Sequence, residues 1–247
     1  MEIKNLCYKN IIKDINYTFT HTKIYGVFSN SSKQITTFFE LVRGLIKPTK
    51  GHINANEQKI YMLFNNSDDQ IFNKKVRDEI LYGLNDNEIA LDEICERLNI
   101  NENFLDRDIA SLSSSERKIV AFATMLANNP DIILIDNFIS GLDGQNQKMI
   151  INVLKRLQFD YNKQLIIADQ NINMLFEIID IAIILNDDLL ISGSKYDIFK
   201  KTEILKSIGI DIPDYIQFSN LVLTKKNIDL GYRDRITDII KDVYDNV

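Results

Sequence analysis

Two places in this chain carry residues whose types and spacing could do chemistry. Asp136 closes a wholly apolar run, Ile132-Ile133-Leu134-Ile135. That is the pattern of a buried parallel strand with a carboxylate at its carboxyl end, where open α/β sheets bind their ligands. The second place is Ser29-Asn30-Ser31-Ser32-Lys33-Gln34-Ile35-Thr36-Thr37, lying between a strand predicted over residues 24–28 and a helix predicted over 38–45. A strand, a small-residue loop and a helix are the context a phosphate-binding loop requires, because backbone N–H groups at the helix start face the anion. Between these places, Ser113 and Glu116 have the S-x-x-E spacing of a capping box. They precede Ile119, Ala123, Leu126 and Ala127 at helical spacing, so a helix starts there.

The elements that must hold these residues follow from the hydrophobic period. Strands are expected over 2–8 and 12–20, joined at Lys9-Asn10, and over 24–28, 59–64, 132–135 and 164–168. A hairpin is expected from 181–185 and 189–192 around Asn186-Asp187-Asp188. Helices are expected over 76–84, 91–98, 114–128 and 147–157, and in a tail that Gly209 and Pro213 interrupt, over 215–224 and 233–243. One α/β domain with a small appendage fits 247 residues.

The stretch from Leu112 to Asp143 resembles the ABC-type ATPases, in which L-S-G-G-Q opens a helix, the next strand ends Asp-Glu and a D-loop S-x-L-D follows. Here the signature is Leu112-Ser113-Ser114-Ser115-Glu116, the strand ends Asp136-Asn137, and the D-loop is Ser140-Gly141-Leu142-Asp143. The run Asn65-Asn66-Ser67-Asp68-Asp69-Gln70-Ile71-Phe72 is similar to the Q-loop and N-P-x-x-Q-x-F run of the energy-coupling factor branch, which serves micronutrient importers. Ile208-Gly209-Ile210-Asp211-Ile212-Pro213 is similar to the start of that branch's carboxyl-terminal extension. The resemblance implies the P-loop NTPase fold of ABC ATPases, with a RecA-like core, an antiparallel β subdomain and an α-helical subdomain. The cassette would span residues 1–205, its helical subdomain about 66–128, and a helical extension joining two ATPase subunits would span 206–247.

It also implies roles, with ATP and Mg2+ as cofactors. Tyr8 either stacks on the adenine or is an ordinary sheet tyrosine. Gly44-Leu45-Ile46-Lys47-Pro48-Thr49-Lys50-Gly51 resembles the family's G-L-x-x-P-x-x-G segment. Counting back from it places Ser29, Ser32 and Gln34 at the loop glycines, Ile35 at the phosphate lysine and Thr36-Thr37 at the hydroxyl pair. The competing register makes Lys33 the phosphate lysine and leaves Gln34 where the magnesium-binding hydroxyl belongs. In the preferred register the nucleotide stretch is Ser29, Asn30, Ser31, Ser32, Lys33, Gln34, Ile35, Thr36 and Thr37. Thr36 and Asp136 are then the magnesium ligands. Asn137 stands at the general base, Asn65 at the Q-loop glutamine, and Gln170, within Asp169-Gln170-Asn171, at the switch histidine.

These substitutions imply a weak or silent site. Non-glycine residues at positive φ cost about 1–2 kcal/mol each, Ile35 removes the cation that meets the terminal phosphates, and Gln170 cannot exchange a proton near neutrality. Loss of a positioned general base alone is worth roughly 10²–10⁴-fold in rate. Ser113, Ser114, Ser115, Glu116 and Asp143 would serve in trans, at the ATP of a second ABC ATPase subunit. Gln70 and residues 66–72 would meet a transmembrane transporter subunit or form a solvated loop. Two readings follow: a degenerate subunit of an energy-coupling factor importer paired with an intact ATPase, or a non-catalytic scaffold that binds no nucleotide. A soluble ABC protein of repair or translation would carry two cassettes or a long coiled-coil insertion, and this sequence has neither.

Composition narrows the classes further. The net charge of −6 gives no support to a nucleic-acid partner. No uninterrupted apolar run approaches the roughly 20 residues that cross a bilayer, and Met1 to Asn5 begins a strand and not a signal peptide. A cytoplasmic chain, peripheral on the inner face of the membrane, is expected. Cys7 and Cys95 are too few and too far apart for a disulfide framework or a zinc site, so both read as reduced thiols.

Overall fold

Strands that are apolar at every position fold only where both of their faces are covered. A computed structural model describes residues 1–20, 23–82, 90–186 and 189–228, with isolated positions from 230 to 244. In chain order it contains β1 (Glu2–Tyr8), β2 (Ile12–Thr18), β3 (Ile24–Phe28), α1 (Ser32–Arg43), β4 (Lys50–Asn54) and β5 (Ile60–Leu63). Next come α2 (Val76–Tyr82), α3 (Leu91–Leu98), α4 (Glu102–Leu105), α5 (Ser114–Asn128), β6 (Ile132–Asp136), α6 (Gly144–Tyr161) and β7 (Gln164–Ala168). Then follow α7 (Ile172–Ile178), β8 (Ile181–Asn186), β9 (Leu189–Ser194), α8 (Lys195–Phe199), α9 (Thr202–Ser207) and α10 (Asp214–Lys226). The helix expected over 233–243 lies largely outside the described residues, as do Leu84 and the hairpin turn at Asp187-Asp188.

Six strands form one sheet in the order β5-β6-β7-β3-β8-β9, parallel from β5 to β8 and antiparallel at β9. The two-residue period of a strand splits each buried run between two cores. From β6, Ile133 and Ile135 join one core while Ile132 and Leu134 join the other; β7 divides in the same way, Leu165 and Ile167 against Ile166. One face is covered by Phe38, Phe39, Leu41 and Val42 of α1 and by an antiparallel sheet, β2-β1-β4. The opposite face is covered by α5, α6 and α7, and the same core takes in Val76 and Ile80 of α2, Ile94 and Leu98 of α3, and Ile210, Ile212 and Ile216 from the tail.

Two local expectations change. The helix expected over 38–45 begins six residues earlier, at Ser32. The reason is that Ser31 can cap it, accepting from the Gln34 N–H, and that none of residues 29–37 adopts the positive φ a phosphate cradle requires. The segment Lys50–Asn54, β4, was not expected to be a strand. It pairs antiparallel with β1, with Ile3 opposite Ile53. Gly51 sits at φ 78°, and a Cβ there would lie 2.2 Å from the Asn5 carbonyl oxygen.

Gly51→Ala is therefore expected to destabilise the fold, by about 1–2 kcal/mol from the backbone conformation alone and by more once β1 shifts to relieve the collision. A urea midpoint equal to that of the parent protein would refute this account of the glycine.

Candidate functional site

β3, β6 and β7 are neighbours in the sheet, so their carboxyl ends converge, and the chain's crossover from β3 to α1 opens beside them. A cavity of about 370 Å³ lies there. Ser29 and Ser32 reach it from the start of α1, Asp136 and Asn137 from the end of β6, and Asp169 and Gln170 from the end of β7. Asn65, after β5, lines it too.

The segment between β3 and α1 is closed upon itself. Ser29 Oγ donates to Gln34 Oε1 at 2.6 Å and accepts from the Ser31 N–H at 3.1 Å. The buried Gln34 amide donates to the Ile11 carbonyl at 3.2 Å. Asn30 lies against the tail, 3.4 Å separating its Cβ from the place a Cβ on Gly209 would take. Thr37 is buried, Lys33 is exposed and does not line the cavity, and Ile35 does line it. Thr36 is aimed at β6, its hydroxyl donating to Asp136 Oδ2 at 2.6 Å. Burial pushes the Asp136 carboxyl above its ordinary range, against the pull of the Thr36 hydrogen bond.

At the end of β6 the chain turns through Asn137, at φ 48°. Its N–H donates to the Ala168 carbonyl at 2.7 Å, and its Oδ1 accepts from Ser140 Oγ and from the Gln170 N–H, both at 3.2 Å. The Asn137 side chain thus links β6, the turn at Ile139–Gly141 and the segment after β7. Asp169 does the same from the other side, one carboxylate oxygen accepting from the Ile139 and Ser140 N–H groups at 3.0 Å. Sequence reasoning quoted Asp169 without giving it a role. The available signal was its position, one residue past a buried strand and next to Gln170. The tail was missed as well: Gly209, Ile210 and Asp211 line the cavity.

Other predicted residues stand elsewhere. Tyr8 does not line the cavity, and the Lys9 ammonium lies 4.9 Å from its ring centroid. Ser113 caps α5 and Glu116 closes the box: Ser113 Oγ accepts from the Glu116 N–H at 3.2 Å, and Glu116 Oε2 accepts from the Ser113 N–H at 2.7 Å. Arg107 pairs with the same carboxylate. The backbone N–H of Ser113, and then Arg107, hold the Glu116 carboxyl below its ordinary range. Ser114 opens α5. Asp143 caps α6, accepting from the Asn146 N–H at 3.0 Å and from the Asn146 side-chain amide at 2.6 Å, and it also accepts from Ser115 Oγ at 3.1 Å. The N–H of Asn146 is the main cause of its lowered pKa.

A mainly parallel sheet whose strand β3 runs into α1, a hydroxyl on α1 bonded to a carboxylate at the end of β6, one strand removed, a helical subdomain and an antiparallel sheet define a P-loop NTPase of the ABC ATPase fold. The family model described as ABC transporter matches residues 12–140, more than half of the chain, which therefore belongs to that family. Among curated relatives, the energy-coupling factor transporter ATP-binding protein EcfA2 of Staphylococcus aureus is 27% identical over 231 residues, covering 83% of this chain and 80% of its own length. EcfA1 of Mesomycoplasma hyopneumoniae is 28% identical over 228 residues, covering 85% and 84%. Of solved structures, CbiO1 from Clostridium perfringens, part of the ABC transporter complex CbiONQ, gives a TM-score of 0.69 at 20% identity, over 89% of this chain and 98% of that one. The cassette MJ0796, dimeric and bound to ADP and Pi, gives 0.66 at 20% identity over 78% and 97%. These structural likenesses speak to the fold.

The raised Asp136 pKa fixes the sign of a pH effect. Between the ordinary value of 3.8 and its raised value the folded chain holds a proton that the unfolded chain has released, so this group's stabilising contribution is lost as pH rises through that window. Asp136→Asn, which keeps an acceptor for Thr36, is expected to melt higher than the parent at neutral pH. The gap should close as pH falls toward 3.8; a gap that widens on acidification would contradict burial as the dominant cause.

Proposed function

We propose that this chain is an ATP-binding cassette subunit of an energy-coupling factor type importer for a micronutrient, silent at its own site and paired with an intact second ATPase subunit. It offers that partner its signature, Ser113 to Glu116, and its D-loop, Ser140 to Asp143. It lies on the inner face of the membrane against a transmembrane subunit, which the exposed part of residues 66–72, Phe72 above all, contacts; Gln70 is buried, accepts from the Phe64 N–H at 3.3 Å and shapes that loop from within. Among the described residues no helix is long and apolar enough to cross a membrane. The curated relatives, named as transporter ATP-binding proteins, support the transport assignment.

The observation that carries the silent site is the start of α1 at Ser32, three residues after Ser29, with Ser31 as its cap. Thr36 and Asp136 are a donor set suited to Mg2+. The triphosphate does not fit: the first turn is capped by Ser31, Asp136, Asp169 and Asp211 line the cavity, and among the described residues no lysine or arginine does. Like charges facing an anion in a partly enclosed cleft repel it. The same arrangement favours a second reading, a non-catalytic scaffold that binds no nucleotide.

ATP titrated into the purified chain is expected to show a Kd weaker than about 1 mM, a binding free energy smaller in magnitude than about 4 kcal/mol. Asn137→Glu alone is expected to restore no hydrolysis, and turnover in that revertant would mean that nucleotide already binds well. In the assembled complex, Ser113→Ala with Asp143→Ala is expected to leave assembly intact and lower ATPase and transport rates at least tenfold, about 1.4 kcal/mol of barrier. Unchanged rates, with assembly verified, would leave the scaffold reading.

A further inference from the structure

Lys118 is a lysine buried in the middle of a helix, 6% exposed, and a charge is kept in such a place only when something holds it. It sits on α5, five residues past Ser113, and its ammonium donates to the Phe138 carbonyl at 2.8 Å while lying 4.9 Å from the Phe138 ring centroid. Phe138 opens the turn Ile139–Gly141, which leads into the D-loop aspartate. A Cβ on Gly141 would lie 2.4 Å from the Lys118 ammonium nitrogen, so any side chain there would have to displace the tip of the lysine. From the other side, Asp169 takes the Ile139 and Ser140 N–H groups, and its charge also offsets part of the burial cost that pulls the Lys118 pKa down. The turn is thus gripped at a carbonyl by a cation and at two amides by an anion.

We propose that Lys118 is a positioning residue that locks the D-loop turn onto the signature helix, so that Ser113 and Asp143 are presented as one rigid unit. Neither charge touches the exposed ends of that unit; both act on the backbone behind it. Ser115 Oγ, bonded to Asp143, ties the two segments at the surface, whereas Lys118 ties them underneath. That the lock matters for turnover rests on the proposed in-trans role; the lock itself does not.

The test uses the full chain, alone and in its complex. Lys118→Met keeps the apolar stem and removes the ammonium, and with it the charged hydrogen bond that holds the Phe138 carbonyl to α5. Amide hydrogen exchange over residues 139–142 is expected to accelerate at least tenfold, while residues 120–123 of α5 keep their protection. Gly141→Ala, which puts a methyl where the ammonium lies, should loosen the same amides, and should add nothing further in a Lys118→Ala background. If Lys118→Met folds and its turn exchanges at the parental rate, the lock is disproved. In the assembled complex, Lys118→Met should lower kcat for ATP about tenfold with KM unchanged. Faster exchange with unaltered kcat would uphold the lock and overturn the in-trans reading, so the two failures are distinguishable.

Discussion

Where a helix begins relative to the strand before it decides what can sit between them, and here the interval from β3 to α1 controls the whole site. With Phe28 ending the strand and Ser32 already helical, three residues make the crossing. A phosphate cradle needs successive N–H groups turned inward, which requires residues at positive φ and therefore glycine. A serine-rich sequence has a cheaper solution, because serine side chains cap helices well. Ser31 caps, Ser29 binds Gln34, and the extra helical turn takes up residues that would otherwise wrap an anion. Thr36 keeps its bond to Asp136 because it lies beyond the altered segment, on a part of α1 that Phe38 and Phe39 anchor in the core.

The polar groups around the cavity spend their hydrogen bonds on one another. Asn137 joins the end of β6 to Ser140 and to the Gln170 backbone, and Asp169 joins the segment after β7 to the next two amides of the same turn. Asparagine suits this position physically: it tolerates the left-handed φ of 48° and its amide oxygen accepts two hydrogen bonds without a charge to desolvate. A carboxylate in its place would stand among Asp136 and Asp169, both lining the same cavity. The ring of contacts joins β6, β7 and the turn, and the turn rests on α5 through Lys118.

Much of this architecture was legible because it rests on periodicity. The five-residue apolar run of β6, the capping box at Ser113 and Glu116 and the helix to Asn128 follow from spacing alone, since each encodes burial or a cap at fixed offsets. The start of α1 was not legible, because a family pattern with glycines suggested a loop where local serine chemistry makes a helix. Strand β4 was hidden for the opposite reason: Lys50, Gly51 and His52 are exposed and carry no apolar alternation, and only pairing with β1 makes them a strand. Lys118 and Asp169 could not be found by motif at all. Their roles depend on a turn folding back over a helix, a contact between segments 20 residues or more apart.

At the two segments where the family pattern has glycines and this chain has serines the structural consequences are unequal, and under the proposed function this inequality favours a partner-serving role over a general decay of the cassette. At the first segment the serines cap and lengthen α1, and three carboxyl groups face a cavity that no lysine or arginine lines among the described residues. At the second, Ser114 and Ser115 occupy the first turn of α5, where serine costs little, and Ser113 keeps its cap. Glu116 would bring a negative charge toward an incoming phosphate, but it is held back by the Ser113 N–H and neutralised by Arg107. Ser115, instead of blocking the approach, turns its hydroxyl to Asp143. Drift acting alike on both segments has no reason to supply a compensating arginine at one and none at the other. A chain that receives no nucleotide but must still present its signature would keep this asymmetry.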